Sequence, residues 1–188
     1  MRLIFLYILI FFTASCSSNG VDTLDDELYK LSDETTEYWL EINEERVSPL
    51  LDTIGDLISH PYFVNRRSIL DTSICLNHKE KIEFDTIVNQ MYRSLNAYNR
   101  VVREMMDVRR DQLLPVEIEL MKLRTAIKEE TSKESASRSK LNQLKNELNQ
   151  AKINYENSVS LFETEAHNYS KELHKHILTC DSLIQCPD

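Results

Sequence analysis

Apolar residues recur in this chain at intervals of three and four over most of its length, and that spacing admits little besides helix. Phe84, Val88, Met91, Leu95, Tyr98, Val102 and Met105 keep a heptad rhythm. Leu141, Leu144, Leu148, Ala151, Tyr155, Phe162, Tyr169, Leu173 and Cys180 repeat it further on. Side chains at these spacings share one face of a 3.6-residue helix. Glycine is nearly absent, since only Gly20 and Gly55 occur in 188 residues. Tight turns and close backbone approach to a ligand depend on glycine, so the shortage argues for long helices and few functional loops. The length suits one domain, or one domain carrying an extension.

An earlier amphipathic helix is marked by Leu24, Leu28, Leu31, Thr35, Tyr38 and Ile42, with Trp39 alongside. Asp22 or Thr23 is placed to cap it, and its polar face is strongly acidic, with Lys30 the one opposing cation before Arg46. Ser48 and Pro49 then read as the cap and first position of a new helix. That helix is expected to end near Ser59, because His60 precedes a proline. Residues 61–76 read as a loop with one short helix around Asn65 to Leu70. Asn77 and Glu80 form a capping signature for the next helix. Its stripe weakens at Arg109 and Gln112 and meets Pro115, where a kink or break is expected. It resumes with Val116, Leu120, Leu123 and Ile127.

The stretch Thr131 to Ser139 has no apolar residue except Ala136. A turn there would pair the two long helices antiparallel, with facing positions summing to roughly 268. An unbroken helix through 131–139 is equally free of glycine and proline, so both forms stay open. The fold expected is all-α, a small helical bundle with a long antiparallel coiled-coil-like helical hairpin. Residues 22–76 supply the N-terminal helices. Residues 77–188 supply the hairpin, whose arm is expected to project from the bundle.

The N-terminus carries a different message. Arg2 precedes an uncharged run from Leu3 to Phe12, and Thr13, Ala14 and Ser15 lead to Cys16. The run is about half of the ~20 residues that span a bilayer, so it reads as a signal peptide. The segment Phe12-Thr13-Ala14-Ser15-Cys16 resembles the lipobox of bacterial lipoproteins, with Thr13 where leucine is commonest. The resemblance covers residues 1–16 alone. It implies that residues 1–15 are removed and that Cys16 becomes the lipidated first residue. Residues 16–21 would then tether the chain to a membrane of the cell envelope, facing the periplasm or the cell surface. Each buried acyl CH₂ contributes about 0.8 kcal/mol, so several chains anchor firmly.

Export leaves Cys75, Cys180 and Cys186 in an oxidising compartment, where pairing is expected and one thiol is left over. The base of the hairpin brings Cys180 and Cys186 towards the segment carrying Cys75. A Cys75–Cys186 bridge is slightly favoured, because Cys180 lies on the apolar stripe. Cys75–Cys180 and Cys180–Cys186 stay open.

No nucleophile, phosphate-loop or metalloprotease motif occurs, so neither catalysis nor a cofactor is expected. His167 and His174 share a helix face, and His176 and Cys180 are four apart, but these read as polar-face or stripe residues and no metal is expected. A net charge of −9 and a pI near 5.1 lack the basic footprint of nucleic-acid binding. Arg93, Arg100, Arg103, Arg109 and Arg110 form a basic cluster. Internal pairing with the acidic first helix, or with Glu104 and Asp107, is one reading. A patch for an anionic envelope partner, with Met105 and Met106 beside it, is the other.

The function expected is that of a membrane-anchored, non-enzymatic interaction or scaffold protein of the envelope. It would bind an envelope protein through the hairpin, and self-association is compatible with this. Two alternatives stand beside it: a periplasmic chaperone or carrier clasping client chains, and a small-ligand or haem binder.

Overall fold

The computed structural model describes residues 23–73, 76–129 and 134–184. Helix α1 covers residues 23–42. It runs through a π-helical turn, Asn43–Val47, into α2, Ser48–Ile58. Two short helices follow, α3 (Pro61–Val64) and α4 (Arg66–Thr72). Helix α5 (His78–Val108) passes through a second π-helical turn, Arg109–Leu113, into α6 (Leu114–Lys128), and α7 spans Glu134–Ile184. No strand occurs among the described residues. The protein is an all-α bundle with a long helical hairpin. The signal segment, the tether, Cys75 and Cys186 lie outside the described residues.

Contacts in each half of the hairpin establish its antiparallel register. Ser94 donates to Glu172 at 3.1 Å, Tyr98 stacks on Tyr169, and Asn154 donates to Gln112 at 2.7 Å. The facing numbers sum to 266 or 267, close to the value the polar stretch suggested. That stretch is more helical than its composition implies. Helix α7 already begins at Glu134, where Arg138 reaches back to Glu134 at 3.2 Å one turn away, and Ser137 is buried.

The helices fall into two compact units. The first takes the chain up to Leu40 together with Val108–Asn154, and the second takes Glu41–Asp107 together with Tyr155 onward. In the first unit α1 lies along α6 and α7, because its buried stripe of Leu24, Leu28, Thr35 and Trp39 needs an apolar partner. Leu28 and Leu120 line the same crevice. The acidic face of α1 is held by cations of the hairpin. Arg124 pairs with Asp25 at 3.1 Å, and Lys145 pairs with Glu27. The aromatic residues of α1 are capped in the same way: Arg124 lies over Tyr29 at 4.9 Å, Lys152 over Tyr38 at 4.8 Å and Arg109 over Trp39 at 4.6 Å. Such cation–π contacts are favourable wherever the cation is partly desolvated.

In the second unit Phe84, Val88, Met91, Phe162, Leu173 and Cys180 are fully buried. Tyr62 meets Phe84 edge-on with centroids 5.5 Å apart, and Phe63 meets Tyr92 at 5.2 Å. The start of α5 is closed reciprocally. Asn77 Oδ1 accepts from the amides of Lys79 and Glu80, and Glu80 accepts from the amide of Asn77 at 2.8 Å. Arg66 of α4 ties that segment to Asp85 of α5, with Nε donating at 2.9 Å.

Pro49 and Pro115 each sit in the first turn of the helix that follows, α2 or α6, and the local break expected at Pro115 takes the form of a π-helical turn. Ser48 does not cap a new helix; its backbone is helical, and its amide donates to the carbonyl of Asn43, five residues back. Leu114 does the same to Arg109. Each of these residues precedes a proline, Pro49 and Pro115. A proline ring collides with the carbonyl four residues earlier in an α-helix, and a widened turn relieves the collision without breaking the helix. The second wide turn also carries Leu113, fully buried, into the core and leaves Gln112 to bond Asn154.

Candidate functional site

Within the second unit, one turn after another of α2 and α7 stand apart and leave an open groove of about 650 Å³. Helix α2 contributes Leu50, Thr53, Ile54, Asp56 and Leu57, and α7 contributes Ala166, His167, Ser170, Lys171 and His174. Leu50, Ile54 and Leu57 are spaced at i, i+4 and i+7, so they form one apolar strip. On α7 the nitrogen-bearing residues His167, Lys171 and His174 fall at the same spacing. His167 Nδ1 sits 2.7 Å from the carbonyl of Glu163. A carbonyl can only accept, so Nδ1 carries the proton of that bond. Lys171 and His174 make no hydrogen bond or ion pair with any described residue. Asp56 is the single carboxylate among the lining side chains.

The α1–α2 chain is fixed beside this groove by Arg46, in the first π-helical turn. Its Nε and Nη2 donate to the two carboxylate oxygens of Glu163 at 2.8 and 2.7 Å, and Nη1 donates to Glu156 at 2.5 Å. The fork geometry matches a carboxylate bidentately. These bonds hold the Glu163 carboxyl below the usual glutamate range and raise the guanidinium further above its own. Glu163, the carboxylate one turn before His167, is therefore already engaged.

The residues singled out from sequence are distributed differently. Arg100 and Arg103 belong to the second unit, Arg109 and Arg110 to the first. Arg100 lies 3.8 Å from Glu104, Arg103 donates to the carbonyl of Asn99 at 3.2 Å, and Arg110 pairs with Asp111 at 2.8 Å. Arg109 covers Trp39, whose indole Nε1 donates to Glu117 at 2.5 Å. Of the acidic partners expected, Glu104 faces Arg100, while Arg109 meets α1 through the Trp39 ring. Cys180 carries a buried free thiol. Its candidate partners Cys75 and Cys186 lie outside the described residues. Burial pushes the Cys180 thiol up to about 12. His176 lies 3.7 Å from Glu172 and does not approach a set of metal ligands; among the described residues no three His, Cys, Asp or Glu side chains converge.

A second surface stands out on α6. Leu114, Ile118 and Met121 are 46%, 42% and 63% exposed, and their spacing at i, i+4 and i+7 aligns them on the face opposite the buried Val116, Leu120, Leu123 and Ile127. Met121 and Ile118 line a shallow depression with Lys122, Thr125, Ala126 and Glu129.

Sequence reasoning missed the groove and this strip. Leu50, Ile54 and Leu57 carried a helical signal that could have been read. Their separation from α7 is a tertiary fact with no sequence signature. Among the described residues no helix is long and apolar enough to cross a membrane. No protein-family model, no curated protein and no solved structure matches the chain.

Proposed function

We propose that the protein is an exported lipoprotein, anchored by Cys16 to an envelope membrane, that acts as a non-enzymatic interaction or scaffold protein through its helical hairpin. The observation that carries this reading is the apolar strip of α6, Leu114, Ile118 and Met121, exposed on an otherwise charged helix. Exposed strips at i, i+4 and i+7 are the form in which one helix presents itself to another.

Clasping of client chains between the arms draws less support, because the facing residues of α6 and α7, such as Leu123 and Leu144, are buried. The test is capture of the lipidated protein from its native envelope, comparing wild type with Ile118→Lys/Met121→Lys. A defined envelope protein retained by wild type and lost from the double variant is the expected result. Equal recovery of the same proteins by both would remove the strip from the account.

A further inference from the structure

We propose that the α2–α7 groove binds an anionic amphiphile, with its acyl chain on the half-buried Leu50 and Leu57 over the buried Ile54 and its carboxylate beside Lys171 and His174. This assignment goes beyond the scaffold role and does not rest on it. Three features lead to it. The first is size: about 650 Å³ lies within the roughly 300–1,000 Å³ of clefts that hold one small molecule. The second is shape. Both walls are two helical turns long, about 12 Å at 1.5 Å per residue, which suits a medium-length acyl chain and gives a partner helix little purchase.

The third feature is charge. The chain carries 31 acidic and 22 basic residues, yet the α7 wall of the groove holds no carboxylate. It holds Lys171 and His174, neighbours at i and i+3 on one face, and neither is engaged by a described residue. Ser170, one residue before Lys171, lines the same wall with a hydroxyl able to donate. Glu163, the acidic group one turn before His167, is drawn to Arg46 by three hydrogen-bonding nitrogens shared with Glu156. The opposing group is Asp56 on the α2 wall, which should repel an anionic head.

That opposition makes the proposal testable with signs. The full-length chain, labelled with ¹³C at leucine and isoleucine methyls, is held in phosphatidylcholine nanodiscs. It is titrated with sodium decanoate, 1-decanol and decyltrimethylammonium, which share a tail and differ in head charge. Decanoate is expected to shift the methyls of Leu50, Ile54 and Leu57 saturably, with affinity about fivefold above the other two, the size of one exposed charge interaction. Lys171→Gln should remove the preference for decanoate, and Asp56→Asn should increase it. The methyls of Leu173, buried in the same unit, report that each variant is folded. Four results would overturn the proposal: no saturable shift at the groove, equal affinity for the three heads, decanoate binding indifferent to Lys171→Gln, or a weaker decanoate affinity in Asp56→Asn. Saturation of the same methyls by a leucine- and glutamate-rich helical peptide, but not by decanoate, would also overturn it and assign the groove to a partner protein.

Discussion

Two tyrosines in the second unit are held against their own chemistry. Tyr98 and Tyr169 stack with centroids 5.2 Å apart, and both hydroxyls are buried without a hydrogen-bond partner. Burial pushes the Tyr98 phenol up to about 12 and raises that of Tyr169 as well. An unsatisfied buried hydroxyl costs roughly 1–3 kcal/mol, while the ring itself contributes packing. Tyr98→Phe and Tyr169→Phe are therefore expected to stabilise the protein, by about 1 kcal/mol each, as an upward shift of the urea midpoint. A fall in the midpoint would mean that the hydroxyls are satisfied in solution. Cys180 gives a second prediction at this scale. The thiolate is the reactive form, and a thiol raised to about 12 holds almost none of it near neutrality. Alkylation mapped by mass spectrometry should reach Cys180 in denaturant and spare it in the folded protein.

At the scale of single elements, the attachment of the first π-helical turn to α7 depends on Arg46. Arg46→Gln is expected to cost about 2 kcal/mol at neutral pH, as charge-assisted hydrogen bonds are lost. Its pH dependence has a definite sign. Hydrogen bonding to Arg46 lowers the Glu163 carboxyl below its usual 4.5. The stabilisation is complete above that ordinary value and is lost as the pH falls through the lowered one. Wild type should lose stability more steeply than Arg46→Gln on acidification, and the two curves should converge in acid. Parallel curves would show that Glu163 is not held by Arg46. Much of this element structure is legible in the residues. The stripe from Leu141 to Cys180 is buried position for position, and the Asn77–Glu80 cap forms as its spacing indicates, because both depend on residues within a turn of each other. The π-helical turns and the aromatic caps are not legible. Arg109 over Trp39 joins residues 70 apart in the chain, and no local pattern encodes such a pairing. The groove escaped for the same reason: Lys171 gains its meaning only from Leu50, Ile54 and Leu57 opposite.

At the scale of the whole molecule, anchoring and cross-linking set the expectations. Metabolic labelling with a fatty acid should be lost in Cys16→Ser, and persistence of the label would remove the lipid anchor from the proposed role. Cys180 is buried on the apolar stripe, so we take Cys75–Cys186 as the bridge to test. It would close a loop of more than a hundred residues, for which chain entropy gives about 4–5 kcal/mol. Reductant should therefore lower the melting temperature of the protein isolated under oxidising conditions, and Cys75→Ser/Cys186→Ser should make it indifferent to reductant. An unchanged melting temperature would mean that no such loop is closed.

The wide turn at Arg109–Leu113 also bears on how this sequence tolerates change in length. Loss of one residue from an α-helix rotates everything beyond it by about 100° relative to what came before, which would turn the buried stripe of α6 outward. A π-helical turn already contains one residue more than an α-turn needs. Removing one residue there, with Pro115→Ala to relieve the ring, converts it to ordinary helix and keeps Val116, Leu120, Leu123 and Ile127 in phase. Natural variants that are one residue shorter should carry their gap beside Pro49 or Pro115, and should lack that proline.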